Sequence, residues 1–95
     1  MNNDTFIASA AWAFEKFAEL HEEGLLSFMV GLNSGVHLSR PKFAELSEEF
    51  TPEVTRTSRA GDAVYPYEYS FELLGVRFYC ITHDGKMKAD KEGEK

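Results

Sequence analysis

Ninety-five residues suffice for one domain and not two, because each half would fall below the size at which burial offsets chain entropy, so a two-lobed enzyme is excluded. With 43% hydrophobic, 14% aromatic and 27% charged residues, the composition is that of a packed chain, not a disordered or collagen-like one. Sixteen acids against ten bases give a net charge of -6, which disfavours direct binding to nucleic-acid phosphate, and a single cysteine, Cys80, excludes an internal disulfide framework.

Asp4 to Glu23 reads as the first and strongest helix. At 100° per residue, Phe6, Ile7, Ala10, Ala11, Ala13, Phe14, Phe17, Ala18 and Leu20 share one broad apolar arc, and Glu15, Glu19, Glu22 and Glu23 fall opposite. Asn3, Asp4 or Thr5 caps its start, and Gly24 stands where helices end in a left-handed residue. Leu25 to Leu32 follows as an apolar run short enough for a strand. The Asn33-Ser34-Gly35 turn signal then joins it to Val36–Ser39 in an expected hairpin. Ser39 caps a second helix with Pro41 in its first turn. That helix directs Phe43, Leu46 and Phe50 one way and Glu45, Glu48 and Glu49 the other, and stops before Pro52.

Val54 to Arg59 is mostly polar and reads as an edge strand, with Gly61-Asp62 as the turn after it. The clearest strand signal runs from Tyr65 to Leu73, where Tyr65, Tyr67, Tyr69, Phe71 and Leu73 alternate with Pro66, Glu68, Ser70 and Glu72. A tight turn at Leu74-Gly75 sets a register of Leu73 with Val76, Glu72 with Arg77, Phe71 with Phe78, Ser70 with Tyr79 and Tyr69 with Cys80. One face is then wholly apolar, the other carries a Glu72–Arg77 ion pair, and a one-residue slip destroys both features. Pro66 cannot donate to a ladder, so the start of its strand lies at an edge or outside the pairing.

The expected architecture is an α+β fold: two helices packed on one face of a small antiparallel sheet of three to five strands, a single domain over residues 1–85. Residues 86–95, with four Lys, Asp90, Glu92 and Glu94, read as a charged flexible tail. The start Met-Asn-Asn-Asp-Thr lacks the basic region of a signal peptide, and no apolar run approaches the ~20 residues of a membrane span. The expectation is a cytoplasmic protein without membrane contact.

Catalytic and metal constellations are thin. Cys80 and His83 have the spacing of half a zinc knuckle, yet positions three apart on a strand point to opposite faces, and Cys80 faces inward beside Tyr69 and Phe78 in the register above. His21, His37 and His83 are scattered over three elements without a metal motif, and Ser39, His37 and Asp84 supply the residue types of a hydrolytic triad without its spacing. The paired acids Glu22-Glu23 and Glu48-Glu49 lie on expected solvent faces, without the enclosed environment that acid catalysis requires. Gly24, Gly31 and Gly35 form no phosphate loop. Neither an enzyme nor a cofactor or metal is expected.

Trp12 carries more information. It falls about 240° round the helix from Phe6, clear of the apolar arc, and Trp is the side chain most enriched at binding hot spots. It either folds over the helix edge, against the Lys16 stem or under the strand Val54 to Arg59, or anchors a contact. The charge is localised too: residues 1 to 23 hold five acids and one base, residues 40 to 53 hold four acids and two bases, and the remaining stretches sum to zero. Glu22 and Glu23 sit at a helix carboxyl end, where the macrodipole disfavours acids, so helix stability did not select them. Two glutamate-rich helices side by side would present a negative ridge to a basic protein surface. The expected partner-binding residues are Trp12, Glu15, Glu19, Glu22, Glu23, Glu45 and Glu49.

Val36-His37-Leu38-Ser39-Arg40-Pro41-Lys42-Phe43 with Glu45-Leu46, then Tyr65-Pro66-Tyr67-Glu68 and Gly75-Val76-Arg77-Phe78-Tyr79, resembles small uncharacterised accessory proteins of Gram-positive phages and mobile elements. The resemblance covers roughly residues 25 to 84 and transfers no functional residue. It implies a protein that binds and inhibits a host or defence protein. The sequence therefore points to a protein-binding module acting through an acidic helical surface. The alternative is a self-associating assembly protein, a homodimer paired through an exposed strand edge at Val36 to Ser39 or Val54 to Arg59.

Overall fold

In the computed structural model, which describes residues 1–32, 34–59, 61 and 64–83, the elements run α1 (Asn3–Glu22), β1 (Leu25–Met29), β2 (Gly35–Leu38), α2 (Arg40–Phe50), β3 (Thr55–Ser58), β4 (Tyr67–Leu73) and β5 (Val76–Thr82). The five strands form one sheet in the order β1-β2-β5-β4-β3. The protein is therefore an α+β fold of two helices and five strands. Its sheet is mixed, however, since Val36–Phe78 and His37–Tyr79 pair β2 parallel to β5. The cause is α2: it carries the chain back along the sheet, so β3 starts in the direction of β2, and two antiparallel steps return β5 to that same direction. No described helix is long and apolar enough to cross a membrane. The expected tail lies outside the described residues, as do Asn33 and Asp62 of the two expected turns.

The β4–β5 register is the one read from the alternation, from Leu73–Val76 through Phe71–Phe78 to Tyr69–Cys80. It continues to Tyr67–Thr82, and Pro66 stays outside the ladder, its carbonyl accepting from the Arg59 N–H at 2.6 Å. β1 and β2 form the expected hairpin, but β1 ends at Met29, so Val30, Gly31 and Leu32 leave the sheet. β2 lies inside the sheet, which removes Val36 to Ser39 as a free edge. β3 is an edge strand with all four residues exposed.

Leu25, Val36, Leu38, Tyr69, Phe71 and Cys80 gather with Phe43 in the buried core. The Phe43 ring of α2 is fully buried, 4.7 Å from the ring centroid of Phe71 and 6.4 Å from that of Tyr69. Ser39 caps α2, its Oγ accepting from the Lys42 N–H, and Pro41 sits in the first turn, where no intrahelical donor is needed. At the other end Thr51 takes a left-handed φ of 45° and stops the helix before Pro52. Of the three side chains expected inward from α2, Phe43 is buried and Leu46 half-buried, but Phe50 is exposed because the last turn runs beyond the core.

α1 departs furthest from expectation. Its cap is Asn2, one residue before the expected Asn3, Asp4 or Thr5, with the Asn2 side chain accepting from the Thr5 N–H at 2.8 Å, and none of its residues is buried. Phe17 alone is half-buried, packing against the core and against Phe28 at a centroid distance of 5.7 Å. The rest of the apolar arc stands in water, because β1 is the strand that α1 contacts and it reaches only the carboxyl-terminal part of the helix.

Replacing Phe43 by Ala removes the central ring of the core and should cost about 3–5 kcal/mol in urea denaturation, whereas Phe50→Ala should cost under ~1 kcal/mol. Equal losses at the two positions would place Phe50 in the core and contradict this packing.

Candidate functional site

The expected partner-binding residues separate into a stripe on α1 and a cluster at its foot. Trp12, Glu15, Glu19, Glu22 and Glu23 are all exposed and fall within about 120° of one another round the helix. Trp12 is 62% exposed, with the Lys16 ammonium 5.9 Å from its ring centroid and 3.4 Å from a Glu19 carboxylate oxygen. Lys16 therefore leans on the indole, as one of the expected edge packings required. The strand Thr55–Ser58 cannot cover it, since β3 occupies the sheet edge opposite β1.

At the foot, α1 meets the start of α2 through Gly24. The Gly24 carbonyl accepts from the Ser39 N–H at 2.7 Å. Gly24 has a φ of 118°, and a Cβ there would stand 2.6 Å from Lys42 Cβ and 2.9 Å from Ser39 Oγ, so only glycine permits the approach. Lys42 is thereby placed between the helices, its Nζ 3.1 Å from Glu45 and 3.9 Å from Glu23. His21, Glu22, Glu23, Lys42 and Glu45 border a shallow hollow there. His21 Nδ1 lies 2.8 Å from the Leu25 carbonyl, which only accepts, so Nδ1 carries the proton. The acids thus do not form a side-by-side ridge. The helices converge at one point, with Glu22, Glu23 and Glu45 together round a lysine and Glu49 one turn further along α2.

On the sheet face opposite the core, Arg77, Tyr79 and His37 form a stack. The His37 and Tyr79 rings are 4.8 Å apart and 4° from parallel, and the Arg77 guanidinium lies 4.5 Å from the Tyr79 centroid. Arg77 reaches over that ring to Glu68 at 2.8 Å, and its Nε donates to the Ser34 carbonyl at 3.2 Å. The expected partner, Glu72, is directly across the ladder but exposed. Glu68, two cross-strand pairs further along the same face, takes its place, and reaching it lets the guanidinium cover the aromatic face. Burial, with the Arg59 charge adding to it, lowers the His37 pKa below its ordinary value.

Cys80 is buried on the core side, as its register position required, and burial pushes its thiol up to about 12. His37 and Cys80 point to opposite faces, the Ser39 hydroxyl is engaged in capping α2, His83 is exposed, and Asp84 lies outside the described residues. Among the described residues no three His, Cys, Asp or Glu side chains gather as a metal site would require.

What the site reading missed is the opposite side of α1. Phe6, Ile7 and Phe14 are 61–73% exposed, and at the carboxyl end of the same helix Leu20 borders an apolar groove with Phe28, Met29, Val30, Val76 and Phe78. The arc itself was plain in the periodicity. The missing information was that, among the described residues, no element reaches far enough to cover it. Comparison with protein-family models, with curated proteins and with solved structures finds no match.

Two measurements follow from these environments. The lowered His37 pKa means that the unfolded chain takes up a proton first as pH falls, so its contribution is complete above the unfolded value of ~6.5 and is lost as pH drops through the folded value. Urea midpoints should therefore fall more steeply between pH 7.5 and pH 5 for the unmodified protein than for His37→Phe, which keeps a ring on Tyr79; parallel pH profiles would refute this. Cys80 should resist thiol reagents at pH 8 in the native state and react on unfolding, and rapid native labelling would contradict its burial.

Proposed function

We propose that the protein is a non-enzymatic protein-binding module of the cytoplasm whose contact surface is the α1 stripe, with Trp12 as apolar anchor and Glu15, Glu19 and Glu22 as the charges that meet a basic partner. The observation that carries the reading is the exposure of Trp12: the chain's single tryptophan stands in water on the acidic side of a helix. Within the fold the indole has only the exposed contact with Lys16, whereas on binding it offers the large rigid apolar area typical of hot spots. The surrounding carboxylates speed encounter with a positively charged surface and reject acidic ones. Inhibition of a host or defence protein is the particular form of this role that the phage resemblance implies.

Self-association through a sheet edge has a narrower basis in the free edge of β3. That strand is four residues long, and Arg56 lies 5.4 Å from the Tyr67 ring centroid. Short length and positive charge are features that blunt an edge against pairing. The helix stripe is therefore the preferred surface.

Trp12→Ala should change unfolding free energy by less than ~1 kcal/mol. In a pull-down from bacterial lysate, a protein captured by the unmodified chain should be lost with Trp12→Ala, lost with Glu15→Lys/Glu19→Lys, and weakened at high salt. Capture that survives both variants would sink the reading, as would a large loss of stability on removing the indole.

A further inference from the structure

We propose that the apolar side of α1 and the adjoining β1 form the interface of a homodimer, each copy covering this face of the other. The proposal goes beyond the acidic-stripe reading and does not rest on it, because it uses the opposite side of the helix.

The first argument is area. Phe6, Ile7, Phe14, Phe28 and Val30 are each 53% to 90% exposed. Taking about 200 Å² for a fully exposed large side chain, they leave on the order of 700 Å² of apolar surface in water. The largest apolar patch of a typical monomer is roughly 300–600 Å². A stable dimer needs about 800 Å² per partner, so this face, with its polar rim, is of the right size for one interface and too large for none.

The second argument is continuity. Phe17 packs on Phe28 at 5.7 Å, and Phe28 borders the groove beside β1, so the helix arc and that groove meet at this contact. Ala10 and Ala13 lie on that arc between the aromatic side chains, where their small size leaves holes to receive rings from an identical helix. A two-fold pairing closes both faces at once and leaves none to propagate into a filament.

The third argument is charge and constancy. Glu15, Glu19, Glu22 and Glu23 occupy the far side of α1, so two chains of net charge -6 meet through surface that carries few of those charges. A helix of 20 residues with no buried residue lacks the tertiary packing that ordinarily sustains helices in water. A cover that must be present whenever the chain is folded is best supplied by another copy, always available at equal concentration.

Sedimentation velocity of the purified full chain, from low to high micromolar concentration, tests the proposal. The expected result is a species of twice the 10.8 kDa chain mass, with Phe14→Glu and Ile7→Glu each weakening self-association at least tenfold and Trp12→Ala leaving it unchanged. Should the glutamate variants fail to fold, the melting temperature of the unmodified protein decides: it rises with concentration for this dimer and is constant for a monomer. A strict monomer, an assembly larger than a dimer, or a dimer insensitive to both glutamates overturns the proposal. A dimer that captures no lysate protein removes the acidic-stripe reading and leaves this one standing, so the two fail separately.

Discussion

Leu74 and Gly75 both hold positive φ, 54° and 75°, so β4 and β5 are joined by a two-residue turn whose twist matches that of the strands. Leucine in that conformation costs roughly 1–2 kcal/mol, and its side chain is fully exposed, so no packing of its own repays the strain. The hairpin imposes it. Once the turn is closed there, Tyr69, Phe71, Phe78 and Cys80 share one face, and a one-residue slip would bring Arg77 and Tyr79 onto it in place of Phe78 and Cys80. Phe43 seats on that face and fixes α2, and the outer side of β5 receives β2. The rest of the sheet is assembled on a pairing decided within sixteen residues of sequence.

That locality explains which parts of the fold were legible. The hairpin register, the Ser39 cap, the edge position of β3 and the inward Cys80 are each settled by neighbours in sequence, by period-two alternation or by the needs of a helix terminus. The parallel contact of Val36 with Phe78 joins residues about forty positions apart, and the direction of a strand there depends on how α2 returns the chain. Nothing local encodes it. The expected Glu72–Arg77 pair gave way to Glu68–Arg77 for a related reason: a cross-strand rule names the residue opposite, but a long guanidinium can reach further along the ladder, and here it crosses the Tyr79 ring on the way.

The site was legible in composition and not in arrangement. Trp12 lies off the apolar arc at 100° per residue, and it does stand in water. But the same arithmetic marks the apolar arc as a buried face, and a periodicity reports only that a face is suited to burial, never which molecule supplies the cover. Among the described residues the core cluster holds seven buried apolar side chains, and α1 adds none of them. A 20-residue amphipathic helix held to its sheet only near its carboxyl end, by Phe17 and by His21 on the Leu25 carbonyl, has an apolar face directed outward.

The acids are likewise not one population. Lys42, brought in by the close passage of Gly24, sits between Glu23 and Glu45 and offsets the unfavourable end of the α1 macrodipole that Glu22 and Glu23 would otherwise meet alone. Exposed pairs of this kind contribute about 0–1 kcal/mol each, little for stability but enough to orient side chains. Glu23 and Glu45 are therefore partly neutralised within the fold. Glu15 and Glu22, with Glu19 shared with Lys16, are the carboxylates left to face outward beside the indole. Because they lie across the helix from Phe6, Ile7 and Phe14, closing the apolar face with a second copy would leave both stripes exposed on one particle. A partner with two basic sites would then be held by the second contact at an effective concentration set by geometry rather than by dilution, which converts two weak charge-driven contacts into one durable one.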